Sequence, residues 1–254
     1  MTGEERPTPA TEAATAGLPE PPPAAVRLFG DRLPLAVRYA EELATTGIQH
    51  GLVGPREAAR LWDRHLLNCV LLEELVPQGS TVIDVGSGAG LPGIVLAVAR
   101  PDVVVHLVEP LLRRTTWLER TVALLGLDNV VVHRGRAEQV DLSAPVVTAR
   151  AVAALGTLAG WTLPLLEPDG RLLALKGATA AEELTDARSA LDRLGVVQAR
   201  VLTLETEGVE PVHVVEVVRP EVLTGPKARR EARRSGPATG RRRRGGRRKG
   251  SGRG

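Results

Sequence analysis

Apolar residues recur along this chain with two different periods, and the change falls near residue 80. From 24 to 76 the spacing is three and four. Leu33, Ala36, Val37, Ala40, Leu43 and Ala44 form one stripe. After a loop at Gly47–Gly54 and a first-turn proline, Pro55, a second stripe is formed by Ala58, Leu61, Trp62, His65 and Cys69. Leu66, Leu67, Val70 and Leu71 widen it, which predicts a helix buried on more than one side. From Ser80 onward, short Val-rich runs alternate with helical stretches. The predicted strands are Thr81–Val85, Val103–Glu109, Val130–His133, Val146–Ala149, Arg171–Lys176, Val196–Leu204 and Val212–Val218. The predicted helices are Leu91–Ala99, Leu111–Leu125, Ala153–Leu166 and Ala180–Leu194. This alternation specifies an α/β fold with a mostly parallel, doubly wound sheet. Only Gly208 and Pro211 punctuate the link between the last two strands, so these are expected to pair antiparallel.

The ends read differently. Six prolines and few large apolar groups make residues 1–23 an expected disordered segment, and the Gly/Arg-rich stretch 221–254 another. Between them lie a helical segment, 24–79, expected to pack on the core, and an α/β core, 80–220.

Charge changes the picture of the tail. Residues 227–254 hold thirteen Lys/Arg and one acid, Glu231, a net +12, while the preceding 226 residues carry 20 basic and 29 acidic groups, a net −9. The pI of 9.6 therefore describes a cationic tail on an acidic body. Such a tail suits RNA phosphates. The hydrophobic share of 43% is ordinary for a globular protein. A single cysteine, Cys69, excludes a disulfide framework and a multi-Cys zinc site. There is no apolar run of about 18 residues and no basic-then-apolar leader, so a cytoplasmic protein is expected. With five aromatics in all, a multi-aromatic base-stacking platform is not expected.

The chemistry concentrates in Thr81–Gly93, T-V-I-D-V-G-S-G-A-G-L-P-G. A buried strand runs into Gly86, Gly88 and Gly90, and a helix starts near Pro92. Such glycines let backbone approach a ligand, and the helix start offers free N–H groups. A dinucleotide fingerprint would place the third glycine one residue later, and a Walker A loop needs Gly-Lys-Ser/Thr. The G-x-G-x-G spacing, with Asp84 ahead of it, resembles motif I of the S-adenosylmethionine methyltransferases. Glu109, at the tip of the next strand, is an acid suited to both ribose hydroxyls and unsuited to a 2′-phosphate. The loop R-G-R-A-E (Arg134–Glu138) follows the third strand, where Ala137 and Glu138 are placed to read an adenine edge. T-A-R-A (Thr148–Ala151) ends the fourth strand at the acceptor side of the crevice. Arg150 is the only charged residue between Asp141 and Glu167, and Lys176, ending the fifth strand, is the only lysine in the first 226 residues.

Taken together, the strings L-W-D-R-H-L-L-N (Leu61–Asn68), D-V-G-S-G-A-G-L-P-G-I (Asp84–Ile94), R-A-E (Arg136–Glu138), A-R-A-V-A (Ala149–Ala153) and L-A-L-K-G (Leu173–Gly177) resemble the RsmG (GidB) family over about residues 30–218. These are bacterial methyltransferases acting on N7 of a guanine in 16S ribosomal RNA. The resemblance implies a class I S-adenosylmethionine methyltransferase fold, Rossmann-like, with a seven-stranded sheet, an antiparallel last strand and N-terminal helices over the cofactor site. It implies S-adenosylmethionine contacts at Gly86, Leu91, Ala137, Glu138 and Arg150, with Glu109 at the ribose. It also implies 16S rRNA or the small ribosomal subunit as partner. A monomer is expected. The proline-rich start and arginine-rich end depart from the family pattern.

Methyl transfer is an in-line displacement, and guanine N7 already offers a lone pair. Holding the reactants collinear can then supply most of the catalysis, an effect worth up to ~7–11 kcal/mol. This suits a sequence with no catalytic dyad and no metal cluster. Cytosine C5 chemistry needs a nucleophilic cysteine, but Cys69 reads as a small buried hydrophobe. Arg150 and Lys176 are the candidates to hold the guanine or its phosphate. Arg64 and His65 are further RNA candidates, although His65 reads first as a buried, satisfied histidine. Two alternatives remain at this point: a methyltransferase for a small molecule or protein, and a non-catalytic RNA-binding scaffold.

Overall fold

A computed structural model describes residues 18–223. The disorder expected of the two ends falls largely outside these residues, and all the tail cations counted above do. Seven strands form one sheet in the order β3-β2-β1-β4-β5-β7-β6. They are β1 Thr81–Val85, β2 Val104–Glu109, β3 Val130–Arg134, β4 Ala144–Arg150, β5 Leu166–Lys176, β6 Ala199–Leu204 and β7 Val212–Val218. The first five run parallel, and β7 is antiparallel to both β5 and β6. The expected class is therefore the observed one. Strand order reverses between β1 and β4, where a parallel sheet opens a crevice at its C-terminal edge.

Two apolar layers cover the sheet. The helices Gly93–Ala99 and Leu112–Leu125 and the segment before β1 fill one face, and Leu155–Thr162 and Ala180–Arg193 fill the other. The segment before β1 thus buries its apolar stripe directly on the core. Tyr39, Leu43, Leu61, Leu66, Leu67, Leu71 and Leu72 are all fully buried.

The differences from expectation lie at element boundaries. The helix expected from Pro55 is a series of turns: 3-10 at Pro55–Arg60, π at Leu61–Leu66, α at Leu67–Val70 and 3-10 at Leu71–Leu75. Periodicity specifies a helical face, but packing on several sides chooses the winding. Wide π turns cluster at functional sites. Helical backbone also continues to Gln49, which shortens the loop to His50–Gly54. The helix expected at Ala153–Leu166 spans Leu155–Thr162, ends in a 3-10 turn carrying Pro164, and gives way to β5 at Leu166, five residues earlier than expected. Proline lacks the N–H that would continue the α-helix.

Candidate cofactor and acceptor site

The glycine loop hangs from the end of β1. Gly86 N–H donates to Val108 O (2.8 Å) and Ser87 Oγ to Asp84 O (2.9 Å). Gly86, Gly88 and Gly90 have φ of 70°, 57° and 86°. The three positions do different work. A Cβ on Gly90 would lie 2.5 Å from Ile94 Cδ1, and one on Gly86 2.8 Å from Val152 Cγ2. A Cβ on Gly88 would meet nothing nearer than 3.7 Å, so this is where the loop leaves room for a ligand.

Below the loop, Asp84 accepts from Gly93 N–H through Oδ2 (3.1 Å), and its other oxygen is buried without a partner. Burial pushes this carboxyl up to about 7. Tyr39 Oη donates to Ala89 O at 2.6 Å, tying the N-terminal helix Leu33–Glu42 to the loop.

Glu109 ends β2 and is 2% exposed. Its Oε2 accepts from Gly88 N–H (3.1 Å) and its Oε1 from Leu111 N–H (3.0 Å). Arg114 Nη1 stands 3.6 Å from Oε2. A carboxylate has about four acceptor directions, so Glu109 can brace the loop and still accept from a ligand. Gly135 N–H donates to Glu109 O (3.2 Å), which brings the loop after β3 beside this acid. There Ala137 is buried and Glu138 exposed. An open backbone position at Gly88, a buried acid beside it and a small apolar residue nearby together fit a nucleoside. Gly88, Glu109 and Ala137 could hold the nucleoside part of S-adenosylmethionine.

The wall at Ala151–Ala154 has the glycine loop on one side, through Val152. On the other it borders a cleft of about 830 Å³. Arg64, Asn68, Arg150, Lys176, Glu183 and His213 are among the residues lining this cleft. Arg150 donates Nη1–H to Cys69 Sγ (3.4 Å) and Nη2–H to Arg64 O (3.1 Å) and His65 Nδ1 (2.5 Å). Burial pushes the Cys69 thiol up, so it stays protonated and serves as a neutral acceptor. His65 is half-buried and partnered. Lys176 is engaged too. Its ammonium donates to Glu183 Oε1 (2.6 Å) and Ala153 O (3.2 Å), and Glu183 also accepts from Leu155 N–H (2.9 Å). Lysine has three donors, so Lys176 braces the wall of the cleft with one to spare.

The fold thus gathers Gly88, Glu109 and Ala137 on one side, and Arg64, Arg150 and Lys176 on the other. It leaves Glu138 at the surface. Several residues of the site were not singled out from the sequence, among them Tyr39, Asn68, Arg114, Val152 and Glu183. Asn68 lines the cleft with a buried, unpartnered Oδ1. A signal existed for Tyr39, the chain's single tyrosine, set in an apolar stripe. Asn68 and Val152 lie within strings that carry the family resemblance, and nothing local marked Arg114 or Glu183.

The family model described as rRNA small subunit methyltransferase G matches residues 32–212. The chain belongs to the rRNA small subunit methyltransferase G family. It is 56% identical over 239 residues to a protein of Streptomyces avermitilis named Ribosomal RNA small subunit methyltransferase G, covering 92% of this chain and 99% of that one. A protein of the same name from Salinispora arenicola is 51% identical over 98% of this chain and 100% of its own. Among solved structures, a SAM dependent methyltransferase from Aquifex aeolicus matches with a TM-score of 0.50 and 19% identity, over 69% of this chain and 98% of its own, a likeness in fold. The family match runs from the helical segment through β6, so it takes in Arg64, Gly88, Glu109, Arg150 and Lys176. Among the described residues, no helix is long and apolar enough to cross a membrane.

Proposed function

We propose that this member of the family methylates N7 of a guanine in 16S rRNA, with the cofactor in the crevice at Gly88 and Glu109 and the guanine in the cleft at Arg150. Family membership carries the reaction class, the cofactor and the small-subunit rRNA substrate. The observation that carries the site assignment is the shared wall: Val152 packs on Gly86 from a segment that also lines the cationic cleft.

When bound, S-adenosylmethionine supplies an electrophilic methyl on a sulfonium. The protein's own part is binding and alignment. Glu109 holds the ribose, and the open backbone at Gly88 admits the nucleoside without a side-chain clash. Arg150 orients the base or its phosphate with the N–H groups that face the cleft. N7 carries no proton, so no side chain needs to remove one. Lys176 and Glu183 keep the Ala151–Ala154 wall in place. On the same reading the enzyme is a cytoplasmic monomer, and the cations of 227–254 contact RNA phosphates.

The test is methyl incorporation from labelled S-adenosylmethionine into small subunits from cells lacking this protein, with the product mapped by mass. Label at N7 of one guanine is expected, and its loss in Arg150→Ala with an unchanged circular dichroism spectrum. Label in a protein or small molecule, or full activity of Arg150→Ala, would overturn the reading.

A further inference from the structure

Arg150 is held by three acceptors on the helical segment before the sheet, and one of them titrates. The contacts run in a line. Glu57 Oε2 lies 3.0 Å from His65 Nε2, and His65 Nδ1 lies 2.5 Å from Arg150 Nη2. An arginine can only donate. His65 Nδ1 must therefore present its lone pair, and the ring proton sits on Nε2, where it donates to Glu57. The π turn Leu61–Leu66 carries both Arg64, whose carbonyl takes the second Nη2–H, and His65. Cys69, four residues on, takes one Nη1–H. Among the described residues this leaves Nε–H and one Nη1–H of Arg150 for the cleft.

We propose that His65 is a positioning residue that acts through Arg150, with Glu57 fixing its tautomer, and that protonation of His65 releases the arginine. This rests on the reading that Arg150 faces the methyl acceptor. An imidazolium would set Nδ1–H against Nη2–H, donor to donor and cation to cation. The neutral ring is the form the surroundings favour. Burial and the Arg150 charge hold His65 below the ordinary imidazole range, and Arg64 adds to this. Glu57, on the turn Pro55–Arg60, opposes them. The Cys69 thiol is neutral. The arginine is therefore clamped at neutral pH and set loose as pH falls through the His65 value.

Two measurements test this. The first needs no activity. Imidazole ¹⁵N shifts of the full chain should show Nε2 protonated and Nδ1 bare, and Arg150→Ala should raise the His65 pKa by removing the nearby cation. A protonated Nδ1 at pH 8, or a His65 value unmoved by Arg150→Ala, overturns the contact. The second is the pH profile of kcat/KM for methyl transfer to small subunits. His65→Ala should lower the plateau about tenfold, the order expected for one hydrogen bond to a charged group, and remove the acid limb. Glu57→Gln keeps an acceptor for Nε2–H but removes the charge that favours the imidazolium, so the limb should move to lower pH. His65→Asn, with its oxygen near the Nδ1 position, should regain part of the plateau. A limb that stays in place in both His65→Ala and Glu57→Gln refutes the relay. If the wild-type chain labels no rRNA, the functional reading fails, and the shift measurement still decides the relay.

Discussion

The buried acid at the tip of β2 offers the sharpest perturbation, Glu109→Gln. The substitution keeps the shape of the side chain and changes only its hydrogen-bonding capacity. In the native fold the two carboxylate oxygens face two backbone donors, Gly88 N–H at 3.1 Å and Leu111 N–H at 3.0 Å. A glutamine amide has one acceptor end and one donor end. Whichever way it turns, one of those N–H groups meets an NH₂, and a charge-assisted bond becomes a donor–donor contact. At 2% exposure, water cannot relieve it. Loss of one hydrogen bond to a charged group costs about 1.5–3 kcal/mol. For a protein of this size that lowers Tm by about 3–12 °C. The ligand side loses as well. Ribose hydroxyls that donate to the carboxylate keep at most one acceptor, a loss of similar size, which weakens binding about 10–100-fold. Thermal unfolding and calorimetric titration with S-adenosylmethionine measure the two effects separately. A lowered Tm with unchanged affinity would make Glu109 a loop brace alone and remove it from the ribose site. Unchanged values of both would refute the hydrogen-bond argument itself.

Other outcomes follow from the same geometry. Tyr39→Phe removes the 2.6 Å bond to Ala89 O and should cost about 1–2 kcal/mol in urea unfolding; no loss would mean that water or another donor replaces the hydroxyl. Gly90→Ala sets a Cβ 2.5 Å from Ile94 Cδ1 at a φ of 86°, so a loss of about 2–4 kcal/mol is expected, and a stable variant would show that the loop can rebuild. Burial holds the Asp84 carboxyl up to about 7, above an unfolded value near 4. Its effect on stability is therefore most favourable below about pH 4 and is lost progressively as pH rises towards about 7; Asp84→Asn should flatten that part of a stability–pH curve, and an unaltered slope would assign it to other groups. Deletion after Pro226 should keep turnover on small subunits but flatten the salt dependence of RNA binding, by about 0.7 in log–log slope for each single-strand phosphate no longer contacted; an identical slope would exclude the tail from binding.

The α/β class, the succession of strands and helices along the chain and the antiparallel pairing of the last two strands were legible in the sequence, because each rests on short-range rules. Period-2 and period-3.6 patterning names strands and helices, and a strand that runs into G-x-G-x-G can only turn tightly and open its backbone. The resemblance carried by W-D-R-H and A-R-A pointed to the family. What tertiary structure decided is which groups meet. Nothing local in the sequence ties Tyr39 to Ala89, or Arg150 to His65 and Cys69, pairs separated by 50 to 85 residues and joined when the N-terminal segment folds over the sheet. Nor could the sequence show that Lys176, conspicuous as a lone lysine, already holds Glu183, or that the helix around His65 winds as a π turn. Local backbone preference selects elements; the partners of a buried polar group are set by the packing that excludes water from it.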